Sequence, residues 1–124
     1  MSGEKILIKD LFKITNDGIL LKNISFTNNG EATKIWANIS LEDINLTKFE
    51  NRYQLIRNML SIVRKNDING INVYVYNEDN NLQRFIIELA PRLRELGIKT
   101  NIIVNKDFKE KEVYEDIVDY IIVN

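Results

Sequence analysis

A chain of 124 residues, 44% of them hydrophobic, is long enough to bury its own core without a metal or disulfide staple. Its 17 basic and 18 acidic residues leave a net charge of −1, so the totals offer no basic face for nucleic acid. Cys and His are both absent, which excludes thiolate and imidazole nucleophiles and most zinc sites, and leaves carboxylates, Lys, Tyr and hydroxyls for any chemistry.

In the first third, ILIKDLFKI and GILLKNISF flank Asn16-Asp17-Gly18, and Asn29-Gly30 precedes KIWANIS. Tight turns between strands are the natural reading, so antiparallel or edge strands are expected over residues 1–33. From Lys34 onward the pattern changes to short β-branched runs alternating with amphipathic helices, the pattern of βα units on a parallel sheet. KIWANIS reads as the first parallel strand. A helix follows from about Lys48 to Lys65, with Phe49, Tyr53, Ile56, Met59, Leu60 and Val63 at helical spacing as its buried stripe.

GINVYVY is the second strand of this series, introduced by the turn signal Asn69-Gly70 and ended by the polar NEDNN, where Asn80 or Asn81 can cap the next helix. That helix turns Leu82, Phe85, Ile86, Leu89, Leu93 and Leu96 to one side, is expected to kink at Pro91, and ends at Gly97. KTNIIVN, a short helix in KEKEVYEDIV and the strand DYIIVN complete the series. The expected class is therefore α/β, one domain over residues 1–124, as a partial barrel of the eight-stranded βα type or a three-layer sandwich with N-terminal antiparallel or edge strands.

Ligands of parallel α/β folds sit beyond the carboxyl ends of the strands, where side chains and helix N-termini converge. Polar, mostly uncharged residues fall there: Asn38 and Ser40, Tyr74, Tyr76 and Glu78, Asn105 and Asp107, and Asn124. The period of two places Asn72, Tyr74, Tyr76 and Glu78 on one side of their strand and Ile71, Val73 and Val75 on the other. Two readings of that row stand side by side: tyrosines that fill a closed core by bonding to Asn72 or the backbone, or a row that receives a polar ligand, aided by Trp36 on the neighbouring strand. Asn77, Asp79 and Asn81 alternate somewhat as a calcium loop does, but the Gly and the distal Glu of such a loop are missing. No cofactor or metal is implied.

The helix–strand segments LIRNMLSIVRKNDINGINV and FIIELAPRLRELGIKTNIIV, with the later VDYIIVN, resemble the chitinase-like glycoside hydrolases of family eighteen, especially bacterial cell-wall and spore-cortex members. That family's catalytic strand reads DGxDxDxE, and the matching positions here run from Asn69 through Gly70, Asn72 and Tyr74 to Tyr76, with only the glycine kept. The resemblance implies that the proton-donating Glu would be replaced by Tyr76 and the Asp that positions the substrate's acetamido group by Tyr74. A phenol with pKa near 10 is a weak acid for a glycosidic oxygen. What the resemblance implies is a non-catalytic relative, a glycan-binding or assembly module of a cell-envelope or spore-associated protein. It would use Trp36, Asn38, Asn72, Tyr74, Tyr76, Glu78 and Asn105. An interaction or oligomerisation module without a ligand is the alternative, and weak hydrolysis through Glu78 the lesser one.

The expected partners are accordingly a glycan or peptidoglycan, or else a second copy or another protein, with neither nucleic acid nor membrane among them. No apolar run reaches the ~20 residues of a membrane span, and MSGEKILIKD lacks the core of a signal peptide. The family's MxYD segment would follow VDYIIVN, so the resemblance implies a portion of a barrel or a shortened relative of one. The compartment stays open: cytoplasmic by default, cell envelope or spore if a fragment of a longer protein.

Overall fold

A computed structural model describes residues 6–10, 12–15, 18–21, 34–77 and 79–124. Strands β1 (Ile6–Lys9), β4 (Lys34–Ile39), β5 (Gly70–Tyr74), β6 (Lys99–Val104) and β7 (Tyr120–Val123) form one sheet in the order β1-β4-β5-β6-β7, every pair parallel. The sheet curls into a half-barrel. Helices α1 (Phe49–Lys65), α2 (Asn80–Glu95) and α3 (Lys111–Glu115) connect its last four strands.

The N-terminal third differs in part from expectation. Strands β2 (Phe12–Thr15) and β3 (Gly18–Leu21) do form an antiparallel hairpin, while the turn residues Asn16 and Asp17 and the segment 22–33 lie outside the described residues. The hairpin sits within the connection from β1 to β4, with β2 against β4 and β3 against α1. Strand β1 therefore precedes KIWANIS as the first parallel strand and forms the sheet's edge.

Alternation assigns one face of the sheet to the helices. Ile35, Ala37, Ile39, Ile71, Val73, Val75, Ile102 and Val104 are all buried and pack with Leu55, Ile56, Met59 and Val63 of α1 and with Phe85, Ile86, Leu89 and Leu93 of α2. Each such aliphatic side chain contributes about 1.5–3 kcal/mol by leaving water. The α1 stripe is shifted from the expected one: Arg52 and Leu55 face inward, and Phe49 and Tyr53 stand exposed. Arg52 can be buried because every direction it points in is answered. Its Nε and Nη2 donate to Glu88 of α2 at 2.7 and 3.3 Å, and its Nη1 donates to the carbonyls of Leu46 and Thr47 at 3.0 and 3.2 Å. Those bonds to Glu88 hold the guanidinium pKa above its ordinary value, against the opposing effect of burial.

Chain reversal after each helix has a local cause. Asp67 takes the left-handed conformation at φ 53° after α1, a region that Asp tolerates better than most side chains. After α2, Gly97 at φ 74° donates to the Arg94 carbonyl, and Ile98 donates to that of Leu93. These two bonds are the Schellman arrangement that places glycine at C′. Leu96, expected in the buried stripe, is instead 40% exposed beside this turn. Helix α2 runs unbroken through Pro91, which lies on its exposed side. The cap of α2 is Asp79, not Asn80 or Asn81: its Oδ1 accepts from the Asn81 and Leu82 amides at 2.9 and 3.2 Å. That capping role accounts for the acid in a stretch that otherwise alternates like a calcium loop.

Candidate functional site

The other face of the sheet lines the inside of the half-barrel and carries the polar row. Register places Asn38, Asn72 and Asn101 side by side on β4, β5 and β6. Their amides form a ladder: Asn101 Nδ2 donates to Asn72 Oδ1 at 2.8 Å, and Asn72 Nδ2 donates to Asn38 Oδ1 at 3.0 Å. Asn72 and Asn101 are completely buried. Buried amides need partners, and strands in register supply them.

One rung lower, Trp36 stands beside Gly70. A Cβ on Gly70 would lie 2.5 Å from the indole Cδ1, so the glycine is required by the closeness of Trp36 rather than by a turn, as its sequence context had suggested. Tyr120 of β7 meets the indole with ring centroids 5.6 Å apart. The Trp36 Nε1 donor and the Asn101 Oδ1 acceptor are both shielded from solvent and have no hydrogen-bond partner.

Above the ladder the row opens. Tyr74 and Tyr76 stack at 5.8 Å with their planes 12° apart, and the Tyr76 hydroxyl shares a 3.1 Å hydrogen bond with Ser40 Oγ. Tyr76 is 48% exposed and Tyr74 half-buried, so they do not fill a closed core, and neither bonds to Asn72. Beyond the ends of β5 and β6, Tyr76, Asn77 and Asn105 border a cavity of about 250 Å³, with Asp107, Phe108 and Lys109 on its far side. Asn105 shapes that loop by accepting from the Asp107 amide at 3.0 Å.

Burial pushes the Tyr74 phenol above its ordinary pKa, and Asp10 and Tyr76 push in the same direction. At neutral pH the group is an uncharged donor and acceptor, suited to hydrogen bonding and stacking and poorly suited to protonating a leaving oxygen. No group of three or more acidic side chains placed to hold a metal occurs among the described residues.

Of the residues singled out in the sequence, Trp36, Asn38, Asn72, Tyr74, Tyr76 and Asn105 share the inner face and its carboxyl rim, while Glu78 lies outside the described residues. Asn101, Tyr120 and Asp10 were missed. Asn101 had a signal, since it occupies the same phase in KTNIIVN as Asn72 does in GINVYVY. Asp10 and Tyr120 acquire their neighbours only through the pairing of distant strands.

No family model matches the sequence, and no curated protein does either. Solved structures do match in fold. A structure of human YKL-39, described as a pseudo-chitinase with retained chitooligosaccharide binding properties, gives a TM-score of 0.75 at 16% identity. The chain has the fold of part of a chitinase barrel. A chitinase from Chromobacterium violaceum gives 0.74 at 17% identity, and the Group IV chitinase of Ostrinia furnacalis 0.72 at 14%. These alignments cover 94–96% of this chain but only 42–47% of the others, so the chain spans less than half the length of these three. Identities this low speak for fold alone. Among the described residues no helix is long and apolar enough to cross a membrane.

Proposed function

We propose that this chain is a non-catalytic, glycoside-hydrolase-like module that holds an N-acetylated glycan at the carboxyl rim of its half-barrel, as the glycan-binding or assembly part of a cell-envelope or spore-associated protein. The observation that carries this reading is the stacked, accessible Tyr74 and Tyr76 pair at the positions where the resembled motif has its acids. Tyr76, with Glu78 and Asn105, would meet the sugar. Trp36, Asn38 and Asn72 would form the floor that holds the tyrosines in place. Support comes from a neighbour in fold, since YKL-39 is described as a pseudo-chitinase that retains chitooligosaccharide binding.

Isothermal titration of the chain with chitooligosaccharides and with muropeptides tests it. Saturable heat that Tyr76→Ala abolishes is expected, and no heat at millimolar ligand would remove the glycan from the proposal. A second reading, an interaction module, is favoured by the sheet's two edges, where Ile6 and Ile8 on β1 and Tyr120 and Val123 on β7 are exposed. Light scattering after size exclusion separates the two: a stable oligomer that Ile8→Lys dissolves supports the second reading, and a monomer at working concentration ends its self-association form.

A further inference from the structure

The outward side of the helices carries an arrangement that the rim does not involve. Arg57, Ser61, Arg64 and Lys65 recur along α1 at helical spacing and share one stripe. Arg92 of α2 faces them across an open groove of about 620 Å³, with Tyr53 at one end. The guanidinium of Arg57 lies 5.8 Å from the centroid of the Tyr53 ring and that of Arg92 lies 5.7 Å from it, so one ring gathers two like charges. Phe49 stacks on the same ring at 5.7 Å.

Among the described residues, none of these four cations has an ion-pair partner, in contrast to Arg52 with Glu88 close by. The chain as a whole carries −1, yet the lining of this groove holds four cations and no acid, with Glu88 and Glu95 bordering the adjoining cleft beside Arg92. Part of it complements the C-terminal end of the α1 dipole. Arg92 stands in the same way in the last turn of α2, whereas Arg57, two turns before the end of α1, lies beyond the reach of that effect, which fades within the last turn.

We propose that the α1/α2 groove binds a linear, phosphate-bearing polyanion. Guanidinium forks match the oxygens of phosphate in pairs, which favours this group among anions. Arg57 and Lys65 are separated by ~12 Å along the helix axis at the α-helical rise, too far for one phosphate to bridge and well suited to a repeating chain. Tyr53 is the one aromatic residue lining the groove, and with Phe49 stacked on it and two guanidinium groups close by it gives no run of platforms on which successive bases would stack. A non-aromatic polyphosphate or polyol-phosphate chain fits better than single-stranded nucleic acid.

The test is titration of the whole chain with short-chain inorganic polyphosphate, with orthophosphate, and with a single-stranded oligonucleotide of equal phosphate number. Polyphosphate is expected to bind more tightly than both others, with affinity that falls as salt rises. Arg57→Gln with Arg64→Gln should weaken it by about tenfold or more and reduce the slope of log affinity against log salt by about one per arginine removed. Lys65→Gln should lower both by less, and Lys106→Gln, on an exposed loop elsewhere, by nothing measurable. Equal binding of orthophosphate, tighter binding of the oligonucleotide, or an unchanged affinity in the double arginine variant would each overturn the proposal. Glycan titration of the same variants keeps this result separate from the rim, because both arginines lie on the other side of the sheet.

Discussion

The helix-facing and barrel-facing sides of the sheet share one backbone and follow opposite rules. On the helix-facing side, Ile71, Val73, Ile102 and Val104 have α1 and α2 packed over them and are almost wholly removed from water. Opposite them the same strands carry Asn72, Asn101 and Tyr74, an amide ladder below and aromatic rings above, ending in a tyrosine that is half exposed. Burial is concentrated on the first side, whereas the second leaves polar and aromatic groups within reach of solvent at its carboxyl end. Strands in register let Asn101 donate to Asn72 and Asn72 to Asn38, which offsets part of the cost of burying the row, while the Asn101 Oδ1 acceptor stays without a partner.

The sharpest way to break this contrast is on the covered side. Leu89→Ala removes a fully buried side chain from the α2 contact and is expected to cost ~2–5 kcal/mol in urea unfolding. A loss below ~1 kcal/mol would mean that α2 is not what covers the sheet. Tyr114, also in this core, provides a pH test. Burial pushes its phenol up to about 12, with Asp79 and Glu110 adding to the effect. Because the unfolded group ionises near 10, stability should be intact below that pH and fall between ~10 and ~12, by roughly 2–3 kcal/mol in all. Tyr114→Phe should flatten that part of the profile.

On the inner face the effects are smaller. Gly70→Ala places a methyl group against the Trp36 indole and should cost ~1–3 kcal/mol in the same unfolding measurement. An unchanged midpoint would show that the indole has room to shift. Tyr76→Ala should leave stability within ~0.5 kcal/mol, since the ring is half exposed and, among the described residues, its hydroxyl bonds to Ser40 alone. A larger loss would assign Tyr76 to the scaffold and sharpen the boundary between the two sides.

The four later strands and both long helices were legible because periods of two and 3.6 are written directly in the apolar residues. Gly97 was legible because a left-handed helix end selects glycine. What escaped depends on contacts distant in sequence. Spacing alone fits Phe49 and Tyr53 as a buried stripe as well as it fits Arg52 and Leu55, and the choice is made by Glu88 and the Leu46 carbonyl, which answer Arg52. The parallel pairing of β1 with β4 likewise has no local signal, whereas the hairpin after β1 has a strong one. At the rim, the types and phase of Tyr74, Tyr76 and Asn105 could be read, but their accessibility required the curled sheet.

The lone tryptophan is packed against Tyr120 on the barrel-facing side. Its fluorescence is therefore a built-in reporter for that side alone. Sugar settling over the tyrosines should change its emission or its accessibility to quencher, whereas an anion bound along the outer helices should leave the spectrum unaltered, so one cuvette experiment can tell the two surfaces apart without any label.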